Sequence, residues 1–225
     1  DEPQTIVGHS MCEVAAAHVA GTLSLEEAAS IICRRSQLLA RVAGHGSMAS
    51  REISGSEAEK LLAYPPGLSV AVSNGPRSTV LAGEQEALES LLATGVSGRT
   101  IRVDVASHSA QMDPLKGELL EALQALRPGP SACPIYSTVT GGRLEGQQMK
   151  AAYWVDNLRE TVNFAGATQN LLDDDFTLFL EINPHPVLVS ALESMDCIAL
   201  PSLFREQAEH PALLSSLSRL YQAGC

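Results

Sequence analysis

A chain of 225 residues, 45% apolar and 18% charged, has ordinary globular composition and the length for one large core, with or without an inserted subdomain. A net charge of −11 with no basic block or zinc-finger spacing argues against a nucleic-acid partner. Five widely spaced cysteines without a CxxC pair point to neither a disulfide framework nor a zinc site. With no signal peptide or membrane-length apolar run, a reducing, cytoplasmic setting and no membrane partner are expected.

In chain order, Thr5-Ile6-Val7 reads as a strand and residues 13–20 as a helix that stops at Gly21. Ser24-Leu25-Glu26-Glu27 is a capping box opening a second helix to about residue 42. The rhythm then changes: a strand over 48–53, a helix over 56–64, strands over 68–72 and 78–82 joined by Asn74-Gly75-Pro76, a helix over 85–93 and a strand over 100–105. This βαββαβ order is that of a small ferredoxin-like unit. After Ser109 the pattern predicts a helix over 114–126, a strand over 135–140, one helix over about 156–172 and a strand over 177–182. A helix over 187–193, a strand over 198–203 and a helix over 211–221 complete it.

Gly8-His9-Ser10-Met11-Cys12 lies between the first strand and first helix, where a GxSxG elbow holds a serine nucleophile in a strained turn and aims backbone N–H groups at an oxyanion. Cys12 stands where that pattern has glycine, which predicts a crowded thiol between helix and strand. Of six histidines, His108 is the best base, because it follows an apolar strand in the polar cluster Ser107-His108-Ser109. His9, His18, His45 and His185 read as structural or carry no chemical signal. Asn74 is a turn residue first, Glu13 favours its helix N-terminus electrostatically, and Asp173-Asp174-Asp175 reads as a solvated helix end. By pattern alone, Arg34 and Arg35 read as a solvated helix face.

Six blocks carry a family resemblance: GHSMCEVAAAHVAG at 8–21, IICRRSQLL at 31–39, AVSNGPRSTVLAG at 71–83, VDVASHSAQMDPL at 103–115, YWVDNLRETVNF at 153–164 and LEINPHPVL at 180–188. In order and spacing they resemble the acyltransferase domain of modular type I polyketide synthases, relatives of malonyl-CoA:acyl carrier protein transacylases. The resemblance implies ping-pong transfer, with Ser10 as nucleophile, His108 as base and the Met11 backbone N–H as part of the oxyanion hole. It implies that Arg35 grips the free carboxylate of a malonyl-type unit. It also implies that a backbone carbonyl from the Tyr153 to Asn157 segment, with Trp154 and Asn157 marking it, orients the histidine. Family members carry an upstream GQG-type loop, so an upstream extension of this chain is expected.

The resemblance further implies no bound cofactor or metal, with an acyl-CoA donor and the phosphopantetheine of an acyl carrier protein as substrates, and neighbouring synthase domains as partners. Around Val105-Ala106-Ser107-His108, the small Ser107 resembles methylmalonyl-selective members, whereas malonyl-selective members carry a bulky aromatic there. Met11 is ambiguous on this point, and Val105 departs from the usual tyrosine. The fold class expected is α/β: a hydrolase-like core over 1–45 and 107–225, with a ferredoxin-like insertion over 46–106. The active site is expected in the cleft between them. A serine hydrolase of similar architecture and a catalytically degenerate fragment are the alternatives.

Overall fold

Two neighbouring helices show how local signals set the start of the chain. After strand β1 (Ile6–Val7), helix α1 (Cys12–Val19) buries Val14, Ala16 and Ala17, and Gly21 follows at φ +77°, a left-handed turn that ends it. Helix α2 (Leu25–Leu39) opens on the predicted capping box: Ser24 Oγ accepts from Glu27 N–H at 3.1 Å while Glu27 Oε2 accepts from Ser24 N–H at 3.0 Å. Its buried stripe is Ala28, Ile31, Arg35 and Leu38, spaced for one face of a helix. This is a computed structural model, and it describes residues 2–62, 67–93 and 98–224.

The chain divides into two compact units, 3–167 and 168 onward, with residues 1–2 in the latter. In the first unit, strand β2 (Ser47–Arg51), helix α3 (Gly55–Leu62), strands β3 (Leu68–Gly75) and β4 (Ser78–Gly83), helix α4 (Gln85–Ala93) and strand β5 (Gly98–Ile101) realise the βαββαβ order. Residues 63–64 of the helix predicted over 56–64 lie outside the described residues. The strands lie in the spatial order β5-β2-β4-β3, so β4 is inserted between β2 and β3 and β2 between β4 and β5, the split arrangement. Helices α3 and α4 cover the sheet with a small core of Ala49, Ala58, Leu81, Leu88 and Leu91. The segment's two ends meet. Gly44 and Gly46 N–H groups both donate to Asp104 C=O, and a Cβ on Gly46 would fall 2.1 Å from Ala106 N.

A larger core joins α1 and α2 to helices α5 (Lys116–Ala122) and α6 (Ala151–Arg159) through Ile31, Met112, Leu119, Ile135, Trp154 and Leu158. Strand β6 (Ile135–Tyr136) runs parallel to β1 and antiparallel to β7 (Arg143–Leu144). Several predicted elements are corrected. The strand over 100–105 ends at Ile101, and Arg102 to Ser107 form a loop. The helix over 114–126 begins as a 3₁₀ turn, Ala110–Leu115, because Pro114 lacks an N–H, and is α-helical only over Lys116–Ala122. The single helix over 156–172 is two helices, α6 and α7 (Phe164–Asp173), separated by strand β8 (Val162–Asn163). Glu160 leaves the helix at ψ 160°, and Val162 and Asn163 pair with Val72 and Ser73, giving the four-stranded sheet a fifth strand from outside 46–106.

The second unit holds parallel strands β9 (Leu178–Glu181) and β10 (Ile198–Pro201), with helices α8 (Val189–Glu193) and α9 (Glu209–Gln222). Glu181 accepts from the N–H groups of Val187, Leu188 and Val189, which fixes the turn leading into α8.

Candidate active site

Everything in the site follows from how the chain turns after β1. Ser10 stands at φ +53°, a left-handed conformation that costs a non-glycine residue free energy, held by Cys12 N–H to His9 C=O and Glu13 N–H to Ser10 C=O, both 3.0 Å. The tight approach falls on Gly8, where a Cβ would lie 2.4 Å from Glu13 Cα. Cys12, the first residue of α1, is exposed, which corrects the expected crowding between helix and strand. The Met11 N–H, next in the chain after the serine, finds no acceptor among the described residues.

His108 also adopts a left-handed conformation, φ +60°. Its backbone N–H donates to Leu158 C=O at 3.0 Å and its Nδ1 to Glu160 C=O at 2.9 Å. A carbonyl only accepts, so Nδ1 carries the proton and Nε2 is free to accept; Ser10 Oγ lies 2.6 Å from Nε2. Burial pushes the imidazole down to about 3, with the Arg35 and His9 charges adding to that and the Glu160 hydrogen bond opposing it. The ring is therefore neutral and able to take a proton. The orienting carbonyl belongs to Glu160, which corrects the expected segment 153–157. The carbonyls of that stretch point along α6, with Asp156 C=O already accepting from Glu160 N–H at 2.7 Å, whereas Glu160 has left the helix and turns its carbonyl outward. Trp154 is a core residue whose Nε1 donates to Met149 C=O, and it plays no part in orienting the histidine.

Arg34 is exposed and Arg35 only 4% exposed, so the two arginines have opposite fates. Arg35 Nη1 donates to Asn157 Oδ1 at 2.7 Å, and its Nε has no partner among the described residues. Burial lowers its pKa to about 10, with the Glu13 charge opposing, so it remains a cation with spare donors at neutral pH. Glu13, expected at a helix N-terminus, is fully buried; it accepts from Thr138 N–H and Oγ1, from Tyr153 OH and from Asn157 Nδ2. Burial raises its pKa against those hydrogen bonds. Sequence reasoning gives Glu13 only a helix-terminus role and Asn157 only a place in the histidine-orienting stretch, and it misses the buried contacts of both. The available signal was a polar residue on an apolar stripe, Glu13 with Ala16, Ala17 and Ala20, and Asn157 with Tyr153, Trp154 and Leu158.

Val105 packs on the larger core and Ser107, next to His108, is half-buried. His9 shares a 2.9 Å hydrogen bond with Asn74 on β3 and tilts against Phe164. From His108 a cleft of about 430 Å³ extends along α3 and β3, lined by Glu59, Leu62, Ser69, Val70, Arg159 and Thr161.

A strained serine against a neutral histidine held by a main-chain carbonyl, with a buried guanidinium linked to the serine turn through Asn157, is an arrangement in an α/β protein that acyl chemistry could use. The chain belongs to the acyl transferase domain family, which matches residues 1–218. It is 43% identical over 235 residues to the spectinabilin polyketide synthase system protein NorA' of Streptomyces orinoci, covering 99% of this chain and 6% of that protein. It is 40% identical to erythronolide synthase EryA2 of Saccharopolyspora erythraea, again over 99% of this chain and 7% of that protein. Among solved structures, the acyltransferase domain from module 8 of the salinomycin polyketide synthase aligns with TM-score 0.95 and 36% identity, over 99% of this chain and 55% of that one. The malonyl CoA-acyl carrier protein transacylase of Coxiella burnetii, 22% identical over 98% of this chain and 72% of that one, shares the fold at TM-score 0.85. The chain thus spans a small part of the synthases it matches, and its fold is the mixed α/β fold of acyltransferase domains.

Proposed function

We propose that this chain moves a malonyl-type unit from coenzyme A to the phosphopantetheine thiol of an acyl carrier protein within a polyketide synthase, through an ester on Ser10. The observation that carries this reading is the 2.6 Å contact between Ser10 Oγ and a His108 whose other nitrogen is tied to a main-chain carbonyl. As Ser10 Oγ bonds to the thioester carbonyl carbon, its proton passes to His108 Nε2. The C–S bond then breaks and the proton leaves with the thiol of coenzyme A. In the second half, Nε2 takes the proton of the carrier thiol, sulfur attacks the ester carbonyl, and Ser10 Oγ leaves and recovers the proton. The Met11 N–H stabilises the oxyanion in both halves. Arg35, buried and cationic with a spare Nε, receives the donor's free carboxylate.

Methylmalonyl-CoA is the preferred donor in this reading, because Ser107 beside His108 leaves room for a branch methyl. One methyl in an apolar pocket is worth about 1–3 kcal/mol, so malonyl-CoA remains a slower substrate. Intact-mass measurement after mixing with each donor tests this. A lasting adduct on Ser10, formed faster with methylmalonyl-CoA, is the expected result. Rapid release of free acid would make the chain a hydrolase, and no adduct an inactive scaffold. Arg35→Ala should lose about tenfold or more in kcat/KM with malonyl-type donors and little with acetyl-CoA.

A further inference from the structure

Behind the serine turn lies a buried polar cluster that the reaction above does not use. At its centre is Asn157, 2% exposed, on α6. Its amide oxygen accepts from Arg35 Nη1 at 2.7 Å, and its amide nitrogen donates to Ser10 C=O at 3.1 Å and to Glu13 Oε2 at 3.3 Å. The chemistry of the neighbours fixes this orientation. Exchanging O and N would set an NH₂ group against the guanidinium and an oxygen against two oxygens. An aspartate here would offer only acceptors, and a glutamine is one methylene longer. Glu13 is held in turn by Thr138 and Tyr153, and Tyr153 OH also shares a 2.7 Å hydrogen bond with Ser137 Oγ. One side chain is therefore bonded to the nucleophile's own carbonyl and to the guanidinium 25 residues away in sequence.

We propose that Asn157, braced by Glu13, is a positioning residue that locks the Ser10 turn and the Arg35 guanidinium into one register, so that a donor's thioester carbonyl and its free carboxylate are gripped together. This rests on the reading that Arg35 receives the donor carboxylate. A malonyl-type unit has its carboxylate at a fixed, short distance from the reacting carbon, so it reports on that register; an acetyl unit engages the serine alone. Displacing Arg35 relative to Ser10 then penalises the first donor and spares the second.

The experiment compares kcat/KM for malonyl-CoA and acetyl-CoA, per acylatable Ser10, in the protein and its Asn157→Asp and Arg35→Ala variants. Aspartate repels Ser10 C=O and Glu13 and pairs with Arg35 in competition with the donor. The malonyl-to-acetyl ratio should fall by about tenfold to a hundredfold, as for a lost hydrogen bond to a charged group. The loss should appear mainly in KM for malonyl-CoA. An equal fall for both donors, or an unchanged ratio, overturns the proposal. Should the aspartate variant not fold, the smaller, uncharged Asn157→Ser carries the same test, and failure of both to fold assigns the amide to folding alone and overturns it as well. Arg35→Ala separates the two readings. If it leaves the ratio intact, the carboxylate reading itself falls; if it collapses the ratio while both Asn157 variants keep it, only the positioning role falls.

Discussion

The serine and the histidine reach the same conformation by opposite routes. Ser10 at φ +53° is held by neighbours within a few residues, through β1, Gly8 and the first turn of α1. His108 at φ +60° is held from about 50 residues away, by the Leu158 and Glu160 carbonyls at the end of α6. The contrast shows that the Ser10 turn is set chiefly by local packing, with one tertiary hydrogen bond from Asn157 to its carbonyl, whereas His108 is held mainly by tertiary hydrogen bonds and burial. Disturbing the serine should therefore register first in folding, and disturbing the histidine in proton affinity.

Gly8→Ala should break the serine side most severely. Its Cβ would collide with the α1 backbone, costing about 3 kcal/mol as an overpacked site does and removing Ser10 acylation, both measurable by thermal melts and intact mass. A variant as stable as the parent would show that the turn has room to move. On the histidine side, with the imidazole pushed down to about 3, kcat/KM for acylation should stay level from pH 8 to about pH 5, with no limb near 6.5. The stability consequence has a definite sign. A histidine kept neutral in the fold but titrating near 6.5 when unfolded contributes fully above 6.5, and that contribution is lost as pH falls toward about 3. Denaturant melts of the protein and its His108→Gln variant at several pH values isolate it as the pH-dependent difference. The smallest change is expected at Cys12, exposed at the first position of α1. Cys12→Gly should cost under about 1 kcal/mol through helix propensity and bring no gain in acylation rate.

What could be read in the sequence follows the same division. The Ser10 turn, the Ser24 capping box and the βαββαβ order depend on residues close together in the chain, and each was legible. Arg35 needed its stripe: Ala28, Ile31 and Leu38 mark a buried face that the adjacent pair Arg34-Arg35 disguises. The Glu160 carbonyl could not be found by residue type, because every residue has one and only the chain's exit from α6 aims it. Strand β8 was hidden for a related reason. Two residues make no periodic signal, and Val162–Asn163 is a strand only because the edge of β3 is there to pair with it.

The close approach of Gly46 to the Ala106 backbone has a consequence for how this chain tolerates change. A segment that departs and returns at one point can lengthen, shorten or be exchanged between relatives without stretching the scaffold that carries Ser10 and His108. The exchanged piece would bring Glu59, Leu62, Ser69 and Val70, much of the cleft wall, while leaving the Ser10–His108 contact in place. Such a graft must keep the contacts of β3 with the scaffold: Val72 and Ser73 with Val162 and Asn163, Asn74 with His9, and the Val70 carbonyl with Thr161 Oγ1. Much of the cleft wall and the Ser10–His108 pair thus lie on separate stretches of chain, which meet where Gly46 packs on the Ala106 backbone and along the edge of β3.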